Sequence, residues 1–220
     1  AGEIQVRLAT ISHDGRHAGR GGRGAVLGSK NIKAVLVRGT CRAQWSQPED
    51  LVELAKQISE KSFGSATAKY RELGTAANLL LLNRLNALPT RNFQQGSFEQ
   101  AIELSPEKLN VTRNKTRASC AACTIGCEHI YGISKENSAE ADDQSATRLE
   151  YENLFALGSL CGVGKSDDVL RASQRCDELG LDTISAGGTI AFAMECVERG
   201  AWDVPWLQFG DGKALLQAIE

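Results

Sequence analysis

Hydrophobic and polar residues alternate with period two at the start of the chain, Ile4, Val6 and Leu8 against Gln5 and Arg7. That is the period of a half-buried strand, and it predicts one over residues 4–8. Residues 32–38 (IKAVLVR) predict a second strand. From Pro48 the period lengthens: Leu51, Leu54, Ala55 and Ile58 recur at i, i+3, i+4 and i+7, and Pro48 suits a first helical position. A further helix is expected from Thr75 to about Leu85, with Thr75 as its cap after Gly74. ALPTRNFQQGSFEQA reads as loop until Phe98, and the polar stretch Ser134 to Thr147 as an exposed loop.

Three helices follow. One lies around Glu150–Leu160. Ser166, backed by Asp167 and Asp168, opens the next; Val169, Ala172, Cys176 and Leu179 form its apolar stripe and Gly180 ends it. The last spans Thr183–Glu198 and stops at Gly200. Strands first and helices afterwards predict an α+β fold, with a β portion over residues 1–45 and a helical domain over 46–220.

Composition adds bounds. The hydrophobic share of 42%, charged share of 24% and net charge of −2 are those of an ordinary globular protein. No apolar run is long enough for a transmembrane helix. AGEIQVRLAT is not a secretory signal; it lacks an initiator Met and starts mid-strand, so an internal fragment is expected. Seven cysteines, an odd number, argue against a secreted disulfide scaffold and for a reducing cytoplasm. Charge is uneven: residues 15–48 carry seven Lys or Arg and no acid. A cationic segment in an acidic chain points to a bound anion and away from nucleic acid.

Two stretches carry candidate chemistry. In GRHAGRGGRGAVLGSKN, Gly19, Gly21, Gly22, Gly24 and Gly28 sit among arginines, so the backbone can approach a ligand while guanidinium groups meet phosphate. The spacing is not that of a nucleotide P-loop; the alternative is a solvated loop. Residues 120–129, CAACTIGCEH, place Cys120, Cys123 and Cys127 within one turn, with His129 just beyond. Thiolates at this spacing suit an iron–sulfur cluster or zinc. A cluster needs a fourth thiolate from elsewhere, whereas His129 could complete a Cys3His zinc site.

Together AGRGGRGAVLGSKNIKAVLVRGT (18–40), LPTRNFQQGSF (88–98), the cysteine turn, EYENLFALGSLCG and CDELGLDTISAGGTIAFAMECVERG (within 150–200) resemble the tungsten-containing aldehyde ferredoxin oxidoreductase family, over nearly the whole chain and in the family's order. The resemblance implies that residues 1–45 end a pterin-binding β domain. It matches Cys120, Cys123 and Cys127 to three ligands of a 4Fe–4S cluster whose fourth lies beyond Glu220. Cys161, Cys176 and Cys196 do not match it and read as packing residues. Asp177, Gly180, Leu181 and Asp182 match the D-x-x-G-L-D motif that approaches a pterin, with Thr183 starting the next helix. Arg16 and His17, with Arg20 close by, match the neighbourhood of the pterin phosphates and their bridging magnesium. The family often has Ala where this chain has His17.

Glu152 matches an acid near the metal that could orient water or substrate. A second family acid falls on Arg171. The implied cofactors are a tungsten (or molybdenum) bis-molybdopterin, the 4Fe–4S cluster and magnesium. The implied reaction oxidises a small aldehyde to a carboxylate and passes electrons to ferredoxin or another electron-transfer subunit, in the cytoplasm, with homo-oligomerisation left open. Two alternatives stand beside it: a family member reducing aromatic acyl thioesters, and a non-catalytic Cys3His zinc module with an anion-binding arm. A fragment of a longer polypeptide is also expected to expose apolar stripes such as Val169–Leu179.

Overall fold

The computed structural model describes residues 1–13, 15–133 and 146–220. The mixed α+β architecture holds. A hairpin of β1 (Ile11–His13) and β2 (Arg16–Ala18) is followed by α1 (Arg23–Ser29), α2 (Pro48–Ser62), α3 (Ser65–Leu73), α4 (Leu79–Arg84) and α5 (Pro106–Thr112). An antiparallel sheet comes next, in the order β3 (Lys115–Ala118), β4 (Glu128–Gly132), β5 (Ala146–Leu149). Its register sets Arg117 opposite His129 and Ile130 opposite Arg148. A short α6 (Tyr151–Asn153), a π turn (Leu154–Gly158) and a 3-10 turn (Ser159–Cys161) lead into α7 (Ser166–Leu179), α8 (Thr183–Glu198) and α9 (Gly212–Ile219).

The core lies where β4 and β5 meet the π turn, α7 and α8. Tyr131, Leu149, Leu154, Leu157, Leu170 and Met194 are fully buried there. Helix α8 presses directly on the π turn: a Cβ on Gly187 would stand 2.3 Å from the Ala156 carbonyl oxygen, so only glycine permits this approach. Cys161 and Cys176 are buried, and desolvation pushes both thiols up to about 12, as expected of cysteines that pack. All seven cysteines are free thiols.

The junction between α7 and α8 is set by local chemistry. Gly180 adopts φ 67°, the left-handed conformation that closes a helix, and the Leu181 N–H returns to the Cys176 carbonyl at 2.8 Å. Two residues later the Asp182 carboxylate accepts the Ser185 N–H at 3.1 Å and opens α8. Helices α2, α7 and α8 thus lie where their patterns predict them.

Four expectations fail. Residues 4–8 are a 3-10 turn over Gly2–Ile4 and then loop, with Ile4 80% exposed. Residues 32–38 have no regular structure, with Leu36 96% exposed. Alternation alone is insufficient: a strand needs a neighbour for its backbone groups, and no described strand lies beside either segment. The helix expected from Thr75 begins as a 3-10 turn (Thr75–Asn78), and the Thr75 hydroxyl accepts the Tyr151 N–H at 3.1 Å instead of capping its own helix. The stripe Val169, Ala172, Cys176 is fully buried against the chain's own core, not exposed; exposed apolar side chains occur elsewhere, residues 35–37 and α2 among them. Of the loop expected over Ser134–Thr147, residues 134–145 lie outside the described part, while Ala146 and Thr147 belong to β5.

Candidate functional site

A cleft of about 290 Å³ opens between the β1–β2 hairpin, the end of β5, α6 and the α7–α8 junction. Arg16 and His17 line it from β2, Glu152 from α6, and Asp177, Leu181, Asp182 and Thr183 from the junction. Sequence-distant segments meet here because backbone bonds tie them. The Thr10 N–H donates to the Gly180 carbonyl at 2.8 Å, and the Asp182 N–H to the Leu8 carbonyl at 2.9 Å. Gly19 passes close by, where a Cβ would stand 3.2 Å from Asp182 Oδ1. The Gly/Arg stretch and the D-x-x-G-L-D stretch therefore share one cleft. Arg20 and Gly180 sit just behind its wall: Arg20 Nε lies 3.9 Å from Asp182 Oδ2, and Gly180 forms the turn.

Electrostatics differentiate the lining. The imidazole of His17 is held at Nδ1 by the Thr10 and Ser12 hydroxyls at 2.9 and 3.1 Å, and its Nε2 stands 3.4 Å from Asp177. Burial raises the Asp177 carboxyl pKa, with the His17 and Arg148 charges pulling it back. Burial likewise raises Glu150, helped by the neighbouring Glu152 and Glu128 carboxylates. Glu152 Oε2 is buried and has no hydrogen-bond partner. A buried carboxylate oxygen without a protein partner calls for one, such as water or a bound group. Its backbone is fixed by the Glu150–Asn153 capping box and by the Asn153 amide, which donates to Ser173 Oγ at 2.8 Å.

Three residues of this site escape sequence reasoning. Glu128, 2% exposed, follows Cys127 directly and pairs with both Arg16 and Arg148. Arg148 and Glu150 line the cleft from the end of β5. The available signal is weak: a charged residue inside an otherwise apolar strand segment such as EHIYG.

The cysteine turn lies one residue before β4. Cys120 is exposed, Cys123 and Cys127 half-buried, and the Cys123 N–H donates to the Cys120 carbonyl at 3.0 Å. Desolvation raises the Cys127 thiol pKa, with Glu150 and the other two cysteines adding to it. Among the described residues no three His, Cys, Asp or Glu side chains are grouped so as to hold a metal ion. His129 is buried on β4 with Nε2 at 3.1 Å from the Arg71 carbonyl, and burial lowers its pKa. No helix among the described residues is long and apolar enough to cross a membrane.

Comparison with known proteins places these features. A family model described as aldehyde ferredoxin oxidoreductase, domains 2 & 3, matches residues 49–220, and one described as its N-terminal domain matches residues 1–39. The chain is 39% identical over 206 residues to the tungsten-containing aldehyde ferredoxin oxidoreductase of Pyrococcus abyssi, across 91% of this chain and 32% of that protein. It is 36% identical over 232 residues to the enzyme of the same description from Thermococcus kodakarensis, across 100% of this chain and 37% of the relative. The chain thus spans about a third of the length of the curated relatives it matches. Among solved structures, the active site complex BamBC of benzoyl coenzyme A reductase with 1,5-dienoyl-CoA superimposes with a TM-score of 0.61 at 24% identity, covering 97% of this chain and 34% of that one. At that identity the likeness is one of fold.

Proposed function

The chain belongs to the aldehyde ferredoxin oxidoreductase family, and we propose that it is the part of a tungsten (or molybdenum) aldehyde oxidoreductase that holds one pterin and three of four cluster ligands. The observation that carries this reading is the meeting of the Gly/Arg hairpin, the D-x-x-G-L-D junction and Glu152 in one cleft. The donor set fits a pterin with phosphates. Asp177 and Asp182 would accept hydrogen bonds from pterin N–H groups, with Leu181 and Thr183 alongside. Arg16 and His17 would face the phosphates and their bridging magnesium, with Arg20 behind Asp182. Cys120, Cys123 and Cys127 supply thiolates of the type a 4Fe–4S cluster takes. When bound, the metal centre supplies two-electron oxidation of an aldehyde, with electrons leaving through the cluster to ferredoxin or another electron-transfer subunit.

The chain's own residues supply binding and proton handling. Converting an aldehyde and water to a carboxylate releases protons, and a base must carry them off. Glu152, with its unpartnered oxygen, is the group we assign to orient the water and accept its proton. We place the division between the β portion and the helical domain at residues 1–45 and 46–220, within the stretch between the matched residues 1–39 and 49–220. Seven free thiols favour a reducing cytoplasm. The 220 residues alone should be inactive, because a preorganised site does not keep a proportionate rate when parts are missing.

The test uses the full-length protein, anaerobic, with iron and tungsten contents measured, and follows aldehyde-dependent reduction of a viologen dye. Glu152→Gln should lower kcat by about 100-fold or more while leaving metal content unchanged. Turnover within about twofold of the parent would remove Glu152 from the chemistry. Turnover of an aromatic acyl thioester with reduced dye, and none with aldehydes, would favour the reductive family member instead.

A further inference from the structure

We propose that the surface beside the cysteine turn, formed by Lys115 and Arg117 of β3 and the exposed residues 119–122, is a docking face for an acidic electron-carrier protein of the ferredoxin type. The inference rests on the proposed cluster ligation by Cys120, Cys123 and Cys127, and adds to it the place where the partner meets the chain.

The distribution of charge carries the argument. Residues 108–127 hold Lys108, Arg113, Lys115 and Arg117 and no Asp or Glu. Two of these cations are matched by acids: Lys108 pairs with Glu103, and Arg113 with Asp167 at 2.9 Å. Lys115 and Arg117 stand two residues apart on β3 and so share one face of the strand. Their partners are carbonyls in the last turn of α3. Lys115 Nζ donates to the Glu72 carbonyl at 3.0 Å, and Arg117 Nη1 to the Arg71 carbonyl at 3.1 Å.

Closing the end of α3 does not require these charges. The Asn110 amide already donates to the Glu72 carbonyl at 3.2 Å, and the His129 imidazole to the Arg71 carbonyl at 3.1 Å. The two cations also disturb one another. Burial, and then the Arg117 charge, lower the Lys115 ammonium below its ordinary 10.5, with Glu72 pulling it back. Like charges held side by side cost stability, and an acidic surface docked over them relieves that cost.

The path from this face to the thiols is open. Ser119, Cys120, Ala121 and Ala122 are all exposed, and none has a side chain larger than a thiol. A partner can therefore come close to Cys120, as electron transfer between proteins requires. Beyond the turn, Glu128 is 2% exposed and paired with Arg16 and Arg148, so it does not oppose an acidic surface. Electron-transfer encounters are small, transient and steered by charge, and a small uncharged patch rimmed by cations fits that class. A nucleic acid would call for a longer track of cations.

The test uses full-length protein, purified anaerobically with its iron content measured. The probe is an acidic 2Fe–2S ferredoxin of the plant type, with binding read by calorimetry. The parent should bind the probe, and should lose about tenfold or more in affinity between about 50 and about 300 mM salt. Reversing both charges, Lys115→Glu with Arg117→Glu, should weaken binding by about tenfold or more at the lower salt, with iron content and viologen reduction unchanged. Thermal midpoints are measured alongside, and if the reversed variant does not fold, Arg117→Gln decides, with a loss of about threefold or more expected. Binding by the deciding variant within about twofold of the parent, or binding indifferent to salt, overturns the docking face. So does a parent that binds a DNA duplex more tightly than the ferredoxin at the same salt. A parent that carries iron and does not bind the ferredoxin overturns the docking face and leaves the cysteine ligands standing. A parent without iron overturns both.

Discussion

The cleft and the cysteine turn are separated by one peptide bond, between Cys127 and Glu128, yet they are built in opposite ways. The cleft is closed by contacts between segments distant in sequence: Arg16 with Glu128, His17 with Asp177, the hairpin with the carbonyl of Gly180. The cysteines are held by their own turn, at a half-exposed surface, and are not grouped to hold a metal. A site whose geometry comes from packing and buried ion pairs is organised by the fold. A site made of three thiols in one turn is organised by what binds there, since metal binding and local ordering are coupled. On the proposed reading, the fold would present the cleft ready-made, whereas a bound ligand would complete the cysteine turn.

The largest test of this contrast is to remove a thiol. In the full-length protein Cys123→Ser should abolish most of the iron content while leaving the urea unfolding midpoint nearly unchanged, as read by metal analysis and denaturant titration. A fall in both together would show that the two sites are one cooperative unit. Next in size is Glu128→Ala, which leaves two arginines without their buried partner and should cost about 3 kcal/mol in a urea unfolding experiment. A loss near zero would mean the cleft is not held by that clamp. Gly180→Ala, which forces a side chain into the left-handed conformation, should cost about 1 kcal/mol and widen the cleft mouth without touching iron content.

The smallest effect is in pH dependence. Folding raises the Asp177 carboxyl above its ordinary 3.8, so the folded state binds its proton more tightly than the unfolded chain does. Its contribution to stability is therefore complete below 3.8 and lost as pH rises through the raised value. Asp177→Asn should remove that decline, so the stability curves of parent and variant diverge as pH rises out of the acid range. Parallel curves would mean that His17 and Arg148 fully cancel the effect of burial.

What was legible in the sequence follows the range of the forces involved. The ends of α7 and α8 were readable because Gly180, Asp182 and Gly200 act on their own neighbours within a turn. The meeting of the hairpin with the α7–α8 junction was readable only through the family resemblance, since nothing local in residues 8–10 announces residues 180–182. The strands expected over 4–8 and 32–38 were misread because the period-two pattern records a preference and not a partner. Gln5 takes φ 58° instead, and the Gly2–Ile4 turn packs on α1, where a Cβ on Gly2 would stand 2.9 Å from the Gly24 oxygen. Glu128 and Arg148 were invisible as a pair because strand register, a tertiary property, is what brings them together.

The two backbone bonds that join residues 8 and 10 to residues 180 and 182 also set an order of events. On the ribosome the hairpin emerges first and waits for the α7–α8 junction, roughly 10–35 seconds at ordinary synthesis rates. During that interval its arginines and glycines have no cleft to line. Closure of so long a loop comes late in folding, after the local helices have formed. A ligand of the cleft would therefore meet the chain only after the α7–α8 junction has been made and the hairpin has closed on it.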